Sequence, residues 1–207
     1  NAISANVPWR VAAAGPFGEA GSHGNGAAMR AGPIGAYFAD DPTRVVVEAI
    51  ASALVTHLHP EGQAGAVGVA LGAAYATLTQ LNPSQVSGVS LLAFVNEFMP
   101  QSDTRGGIRQ AIAMPPGTSV EHAASVLGSG YQISSVDTVP FCLWAASTHL
   151  ASYEEALWST VSALGDRDTT CAIVGGIVAL SAGLGSIPER WLLSREGLSL
   201  RFKPRQG

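Results

Sequence analysis

Three short stretches carry residue types and spacings that can do chemistry. Residues 15–26 read Gly-Pro-Phe-Gly-Glu-Ala-Gly-Ser-His-Gly-Asn-Gly, with five glycines in twelve residues. Glycine permits positive φ and close backbone approach. A helix following directly would turn its free N–H groups and its dipole toward the loop, which suits a phosphate or pyrophosphate. The same composition also makes an ordinary surface turn. No Gly-Lys-Ser/Thr follows residues 21–26, so this is not a Walker loop.

The second stretch is Thr56-His57-Leu58-His59-Pro60. Histidines at i and i+2 can share a ligand in an extended segment, but at a helix end they diverge by roughly 200°. No further ligand type lies nearby in sequence, so the zinc reading is weak. One histidine capping a helix C-terminus, where a cation is favourable, and a substrate contact remain the two readings. The third stretch is Gly165-Asp166-Arg167-Asp168-Thr169-Thr170, just ahead of an uncharged helical run. Asp168 is a candidate N-cap. Two carboxylates and a hydroxyl at one helix start are also hard oxygen donors for Mg²⁺. The chain has no GxSxG and no CxxC.

The elements that must position these residues read as helices. The spacing predicts helices over 25–38, 42–57, 61–80, 86–99, 103–113, 119–127, 138–150, 153–164, 168–183 and 188–194. Asp41-Pro42 supplies an N-cap followed by proline at the first helical position, with apolar spacing at Val45, Val46, Ile50 and Leu54. Pro60 opens the next helix, Asn82-Pro83 punctuates, and Pro140 is placed near the start of another. Thr118 with Glu121, and Ser152 with Glu155, have capping-box spacing. Strand signals are scarce and no βαβ alternation occurs, so the expected class is all-α, one domain over 1–207. The short basic tail, LSLRFKPRQG, is expected to fray.

Composition bounds the function. Hydrophobic residues make up 47% and charged residues 13%, which excludes a disordered chain. A formal net charge of -4, with Lys203 the only lysine, argues against nucleic acid as a primary partner. The uncharged runs 62–96 and 169–188 are interrupted by Gly, Asn and Pro and are rich in small residues, unlike a bilayer span, so no membrane partner is expected. Cys142 and Cys171 read as small buried hydrophobes of a reducing compartment, pointing to a cytoplasmic location. The chain starts at Asn1, without an initiator methionine or a signal-peptide pattern, so a processed or truncated start is expected.

Taken in order, Gly21-Ser-His-Gly-Asn-Gly-Ala-Ala-Met-Arg30, Thr56-His57-Leu58-His59-Pro60, Ser135-Val-Asp-Thr-Val-Pro140 and Gly165-Asp-Arg-Asp-Thr169 leading into Ile173-Val-Gly-Gly-Ile177 resemble the ADP-ribosylglycohydrolase family. The likeness spans roughly 17–192. It implies a compact multi-helix fold around a site for two Mg²⁺ ions, with Mn²⁺ an acceptable substitute. It also implies cleavage of the glycosidic bond between ADP-ribose and an acceptor side chain. By resemblance Asp166, Asp168 and Thr169 are metal ligands. Gly21, Ser22, Gly24 and Asn25 hold the pyrophosphate, and Phe17 and His23 place rings against adenine, with His where Tyr is frequent. His57 lies near the phosphates and distal ribose, and Gly130 and Tyr131 line the ribose side.

One departure matters. Family members carry an upstream Thr-Asp-Asp motif supplying the other metal ligands, and no such motif occurs here. Asp40-Asp41 lacks the threonine and follows the glycine loop. The chain therefore resembles the C-terminal part of a family member, and no catalytic residue is assigned within it. Two Mg²⁺ ions carry four positive charges, which Asp166 and Asp168 offset only in part. The chain alone is expected to bind metal weakly and to have little hydrolase activity, both restored by an N-terminal segment in the same or a second chain. Alternatives are a non-catalytic ADP-ribose-binding or crystallin-like structural protein, and a homodimer that covers an open apolar face.

Overall fold

The computed structural model describes residues 7–197. Among these, eleven α-helices and no β-strands form, as the helical signals predict. In chain order they are α1 (Trp9–Ala14), α2 (Gly32–Tyr37), α3 (Pro42–Leu54), α4 (Pro60–Leu81), α5 (Leu91–Phe98), α6 (Asp103–Ala113), α7 (Val120–Leu127), α8 (Ser135–Thr148), α9 (Tyr153–Ser162), α10 (Arg167–Ala182) and α11 (Glu189–Ser194). Short 3₁₀ turns lie at Ala28–Arg30, Pro83–Val86 and Leu184–Ser186. The basic tail from Leu198 on lies outside the described residues.

Helix α4 is the axis of the molecule. By length and composition it could cross a bilayer, but 83% of its apolar window is buried by other helices. It packs against α2, α3, α5, α8 and α10. Small residues make this possible, because each missing side chain lets a neighbour approach. A Cβ placed on Gly72 would stand 2.7 Å from Leu143 Cδ2 of α8. Helix α3 turns Val45, Ala49 and Ala53 inward. Val46 and Ile50, on the same apolar spacing, are half-buried against the core.

Several sequence expectations are corrected. The helix expected over 25–38 is broken into the Ala28–Arg30 turn and α2. A single helix over 25–38 would need the residue 33 N–H for the carbonyl four residues back, and Pro33, in the first turn of α2, has none to give. The 86–99 helix begins only at Leu91, after Gly88 at φ +75°, and Ser90 caps it by accepting from Ala93 N. Helix α8 starts at Ser135, earlier than Pro140 suggested. Its cap is Ser134, which accepts from Asp137 N at 3.2 Å. Pro140 therefore sits inside α8, where its ring packs against Gly107 of α6.

The cap of α7 is Ser119 rather than Thr118, whose hydroxyl donates to Pro115 O. Helix α10 takes Asp166, not Asp168, at its N-cap position. Cys142 is buried as expected, but Cys171 is only half-buried.

Candidate functional site

The glycine loop is fixed before any ligand arrives. Its residues 23–25 pair with 133–135 in an isolated antiparallel bridge, Gly24 opposite Ser134. Asn25 N donates to Ile133 O at 3.1 Å and Ser135 N to His23 O at 3.0 Å. The Ser135 hydroxyl adds a bond to Gly24 O at 3.0 Å, and Ser22 Oγ accepts from Gly24 N at 3.2 Å. Gly21 has φ +78°, and a Cβ there would stand 2.6 Å from Leu58 Cβ. Only glycine combines that backbone with that contact.

Asn25 joins this loop to the aspartate stretch. Its side chain is buried, and Nδ2 donates to Asp166 Oδ2 at 2.8 Å and to Thr138 Oγ1 at 3.0 Å. Thr138 in turn donates to Ser134 O at 2.7 Å. The turn at 128–131 closes on the same point. Asp166 N donates to Ser129 O at 3.1 Å and Gly130 N to Asp137 O at 2.9 Å. Gly130 has φ +81°, and a Cβ on it would lie 2.7 Å from Asp166 Cβ. Tyr131, expected on the same side, is 85% exposed.

Asp166 stands at the N-cap position of α10, but its side chain makes no capping bond. Burial pushes its carboxyl up, but the polar groups of Asp168, Asn25 and Thr169 around it, with Asn25 Nδ2 at hydrogen-bond distance, outweigh this and leave its pKa below the ordinary value. Asp168 is exposed and Thr169 buried in the first turn of α10. Among the described residues no three His, Cys, Asp or Glu side chains gather as a metal cluster. The available donors are therefore two carboxylates and a hydroxyl, all hard oxygens of the kind Mg²⁺ takes. They fit one side of such a site.

The two histidines part company, as their spacing implied. His59 is the N-cap of α4, its Nδ1 accepting from Glu61 N at 3.1 Å. Its ring meets His23 edge-on at 5.6 Å between centroids, and His23 meets Phe17 at 4.9 Å. Phe17 is 65% exposed, so this row of three rings ends open to solvent. His57 follows α3, its N–H donating to Ala53 O at 2.8 Å. Its ring lies against Gly24, Gly26 and Gly62, where a Cβ on Gly26 would be 3.3 Å from Nε2. Burial, and then the Arg30 charge, lower its pKa. Its Nδ1 pairs with the Thr56 hydroxyl at 2.8 Å rather than with a carbonyl at the end of α3, so the ring does not cap that helix.

Sequence reasoning missed three supports. Thr138 lies within the Ser135–Pro140 segment, but nothing local marks its role, since its partner is 113 residues away. Arg30 reaches Thr56 at 2.7 Å. Glu61 accepts from Asp103 N at 2.7 Å, Thr104 N at 3.0 Å and Thr104 Oγ1 at 2.7 Å, tying the start of α4 to the start of α6. A cavity of about 360 Å³ lined by Gly128, Ser129, Gln132, Ser134 and Asp137 opens beside the turn. A larger one, about 420 Å³, lies at the C-terminal end of α8, beside Trp144 and His149, and is lined by none of the candidate site residues.

A family model for ADP-ribosylglycohydrolase matches residues 2–201. An uncharacterized protein of Archaeoglobus fulgidus is 34% identical over 178 residues, covering 85% of this chain and 53% of that protein. The chain thus spans about half the length of the curated relative it matches. With its all-helical architecture, the chain belongs to the ADP-ribosylglycohydrolase family.

Proposed function

We propose that this chain supplies the ADP-ribose-binding loops and one face of the metal site of an ADP-ribosyl hydrolase. The reaction adds water across the glycosidic bond, giving free ADP-ribose and restoring the acceptor side chain. The observation that carries the reading is the Asn25–Asp166 bond, which holds the glycine loop against the helix that bears the oxygen donors.

In this reading the loop from Gly21 to Asn25 takes the pyrophosphate on backbone N–H groups, with His57 beside it. Phe17 and His23 offer faces to adenine. The ribose lies toward Gly130 and Tyr131. Asp166, Asp168 and Thr169 would hold Mg²⁺, which when bound supplies Lewis-acid polarisation at the ribose or at water. The chain's own residues bind and orient, and no catalytic acid or base is assigned to them.

Calorimetry of the 207-residue chain with ADP-ribose, with and without Mg²⁺, tests this. Saturable binding that Asn25→Ala weakens is the expected result, with Mg²⁺ tightening it. Absence of binding under both conditions overturns the reading. Binding indifferent to Mg²⁺ and to Asp166→Ala or Asp168→Ala identifies a non-catalytic ADP-ribose binder instead.

A further inference from the structure

Arg30, Thr56 and His57 form a hydrogen-bonded row that runs from the end of the Ala28–Arg30 turn to the glycine loop. Arg30 Nη2 donates to Thr56 Oγ1 at 2.7 Å and to Ser52 O at 3.2 Å. Thr56 Oγ1 and His57 Nδ1 are 2.8 Å apart. The other ring nitrogen, Nε2, has no hydrogen-bond partner among the described residues and lies beside Gly24 and Gly26.

A threonine hydroxyl has one proton and two acceptor lone pairs, so where that proton goes sets the tautomer of His57. A guanidinium can only donate, so Thr56 Oγ1 accepts from Arg30. The Thr56 hydroxyl proton then has Nδ1 as its acceptor within reach. A neutral imidazole that accepts at Nδ1 carries its proton on Nε2. We propose that Arg30 and Thr56 are positioning residues that hold His57 in its Nε2–H tautomer, so that a fixed N–H donor faces the glycine loop and meets a phosphate oxygen there. The phosphate part rests on the ADP-ribose reading above; the tautomer does not.

Two further observations agree with this assignment. Burial and the Arg30 charge both disfavour the imidazolium, the direction in which the tautomer matters. Gly62 of α4 also lets His57 approach closely, since an added Cβ there would stand 3.0 Å from His57 Cβ and 3.4 Å from its Cδ2. Arg30 ends the segment Gly-Asn-Gly-Ala-Ala-Met-Arg, so one run of sequence supplies both the loop that would hold the phosphate and the cation that orients the histidine facing it.

Long-range ¹H–¹⁵N correlation of the His57 ring near neutral pH tests the proposal, with His57→Gln to assign the signals. The wild type is expected to show the Nε2–H pattern. Thr56→Val should convert it to a mixture of tautomers and weaken ADP-ribose binding by roughly three- to tenfold, the worth of one hydrogen bond. Thr56→Ser should restore both, and Arg30→Gln should loosen the tautomer with the thermal transition little changed. An Nδ1–H pattern in the wild type, or an unchanged tautomer in Thr56→Val, overturns the proposal. If the tautomers behave as expected but ADP-ribose does not bind, the functional reading falls and the relay stands.

Discussion

The Asn25 amide nitrogen lies 2.8 Å from Asp166 Oδ2, although 141 residues separate the two in sequence. The same nitrogen donates to the buried Thr138 hydroxyl. Two chain-distant loops are therefore locked by one side chain. Asn25→Ala should cost about 1–3 kcal/mol in urea unfolding near neutral pH, because a carboxylate loses its donor. Asn25→Asp should cost more, since it sets a second carboxylate against Asp166, and part of that loss should return on acidification as one of the two takes a proton. If Asn25→Asp is as stable as wild type near neutral pH, the bond does not hold the loops together.

Stability should depend on pH through His57. Its folded pKa lies below the ordinary 6.5, so between the two values the unfolded chain binds more protons. The contribution is fully present above about pH 6.5 and is lost as pH falls through the folded value. His57→Gln should flatten the wild-type slope in that window. Asp166, also lowered, acts in the same direction at lower pH, with its contribution lost below its unfolded value near 3.8. Denaturant midpoints measured across both windows, for both residues' variants, check the signs.

Glycines separate packing from propensity. Gly35 of α2 lies directly against the Ala70 backbone of α4, where an added Cβ would collide with the carbonyl. Gly176 of α10 is exposed, with nothing within 4 Å of an added Cβ. Gly35→Ala should destabilise by roughly 1–3 kcal/mol as α2 is pushed off α4. Gly176→Ala should instead stabilise by about 0.5–1 kcal/mol, the helix-propensity difference alone. Thermal unfolding of the pair decides; a stabilised Gly35→Ala would mean the α2–α4 approach is looser than described.

Local chemistry was legible in the sequence. Asp41-Pro42 and Ser152 mark the starts of α3 and α9 because a cap and the backbone N–H it accepts from lie within three residues, and 103–113 is the extent of α6. What was not legible is long-range. Asn25, expected to open a helix, gives its backbone N–H to Ile133 O, more than a hundred residues on, in the bridge that pins the glycine loop. Pro140 looked like a helix start because proline is tolerated in a first turn, but the cap at Ser134 lies further upstream. At the site, residue types gave the loop, His57 and the aspartates, while Thr138 and Arg30 carry no local signature and emerge only from packing.

The ring row Phe17–His23–His59 gives a ligand-side test. Phe17 is mostly exposed and holds φ +59°, so Phe17→Ala should change stability by no more than about 0.5 kcal/mol. Affinity for ADP-ribose should fall several-fold, because a stacked aromatic contact is worth about 0.5–1.5 kcal/mol. Ribose 5-phosphate, which lacks adenine, should bind wild type and variant equally. Equal loss for both ligands would place the ring away from adenine.

Asp166 and Asp168 should respond differently to loss of charge. Asp168 is exposed and Asp166 is engaged by Asn25. Asp168→Asn should leave unfolding free energy within about 0.5 kcal/mol of wild type, whereas Asp166→Asn should cost about 1 kcal/mol, as a charged acceptor becomes a neutral amide. Both variants should lose Mn²⁺ binding followed by water-proton relaxation, because each removes one of the two carboxylates among three oxygen donors. The 207-residue chain is expected to bind Mn²⁺ weakly, since three donors are half of an octahedral set. A wild-type chain that binds none, with both variants behaving as the stability argument expects, would leave Asp166 a structural role only and Asp168 none, and remove both from the metal site.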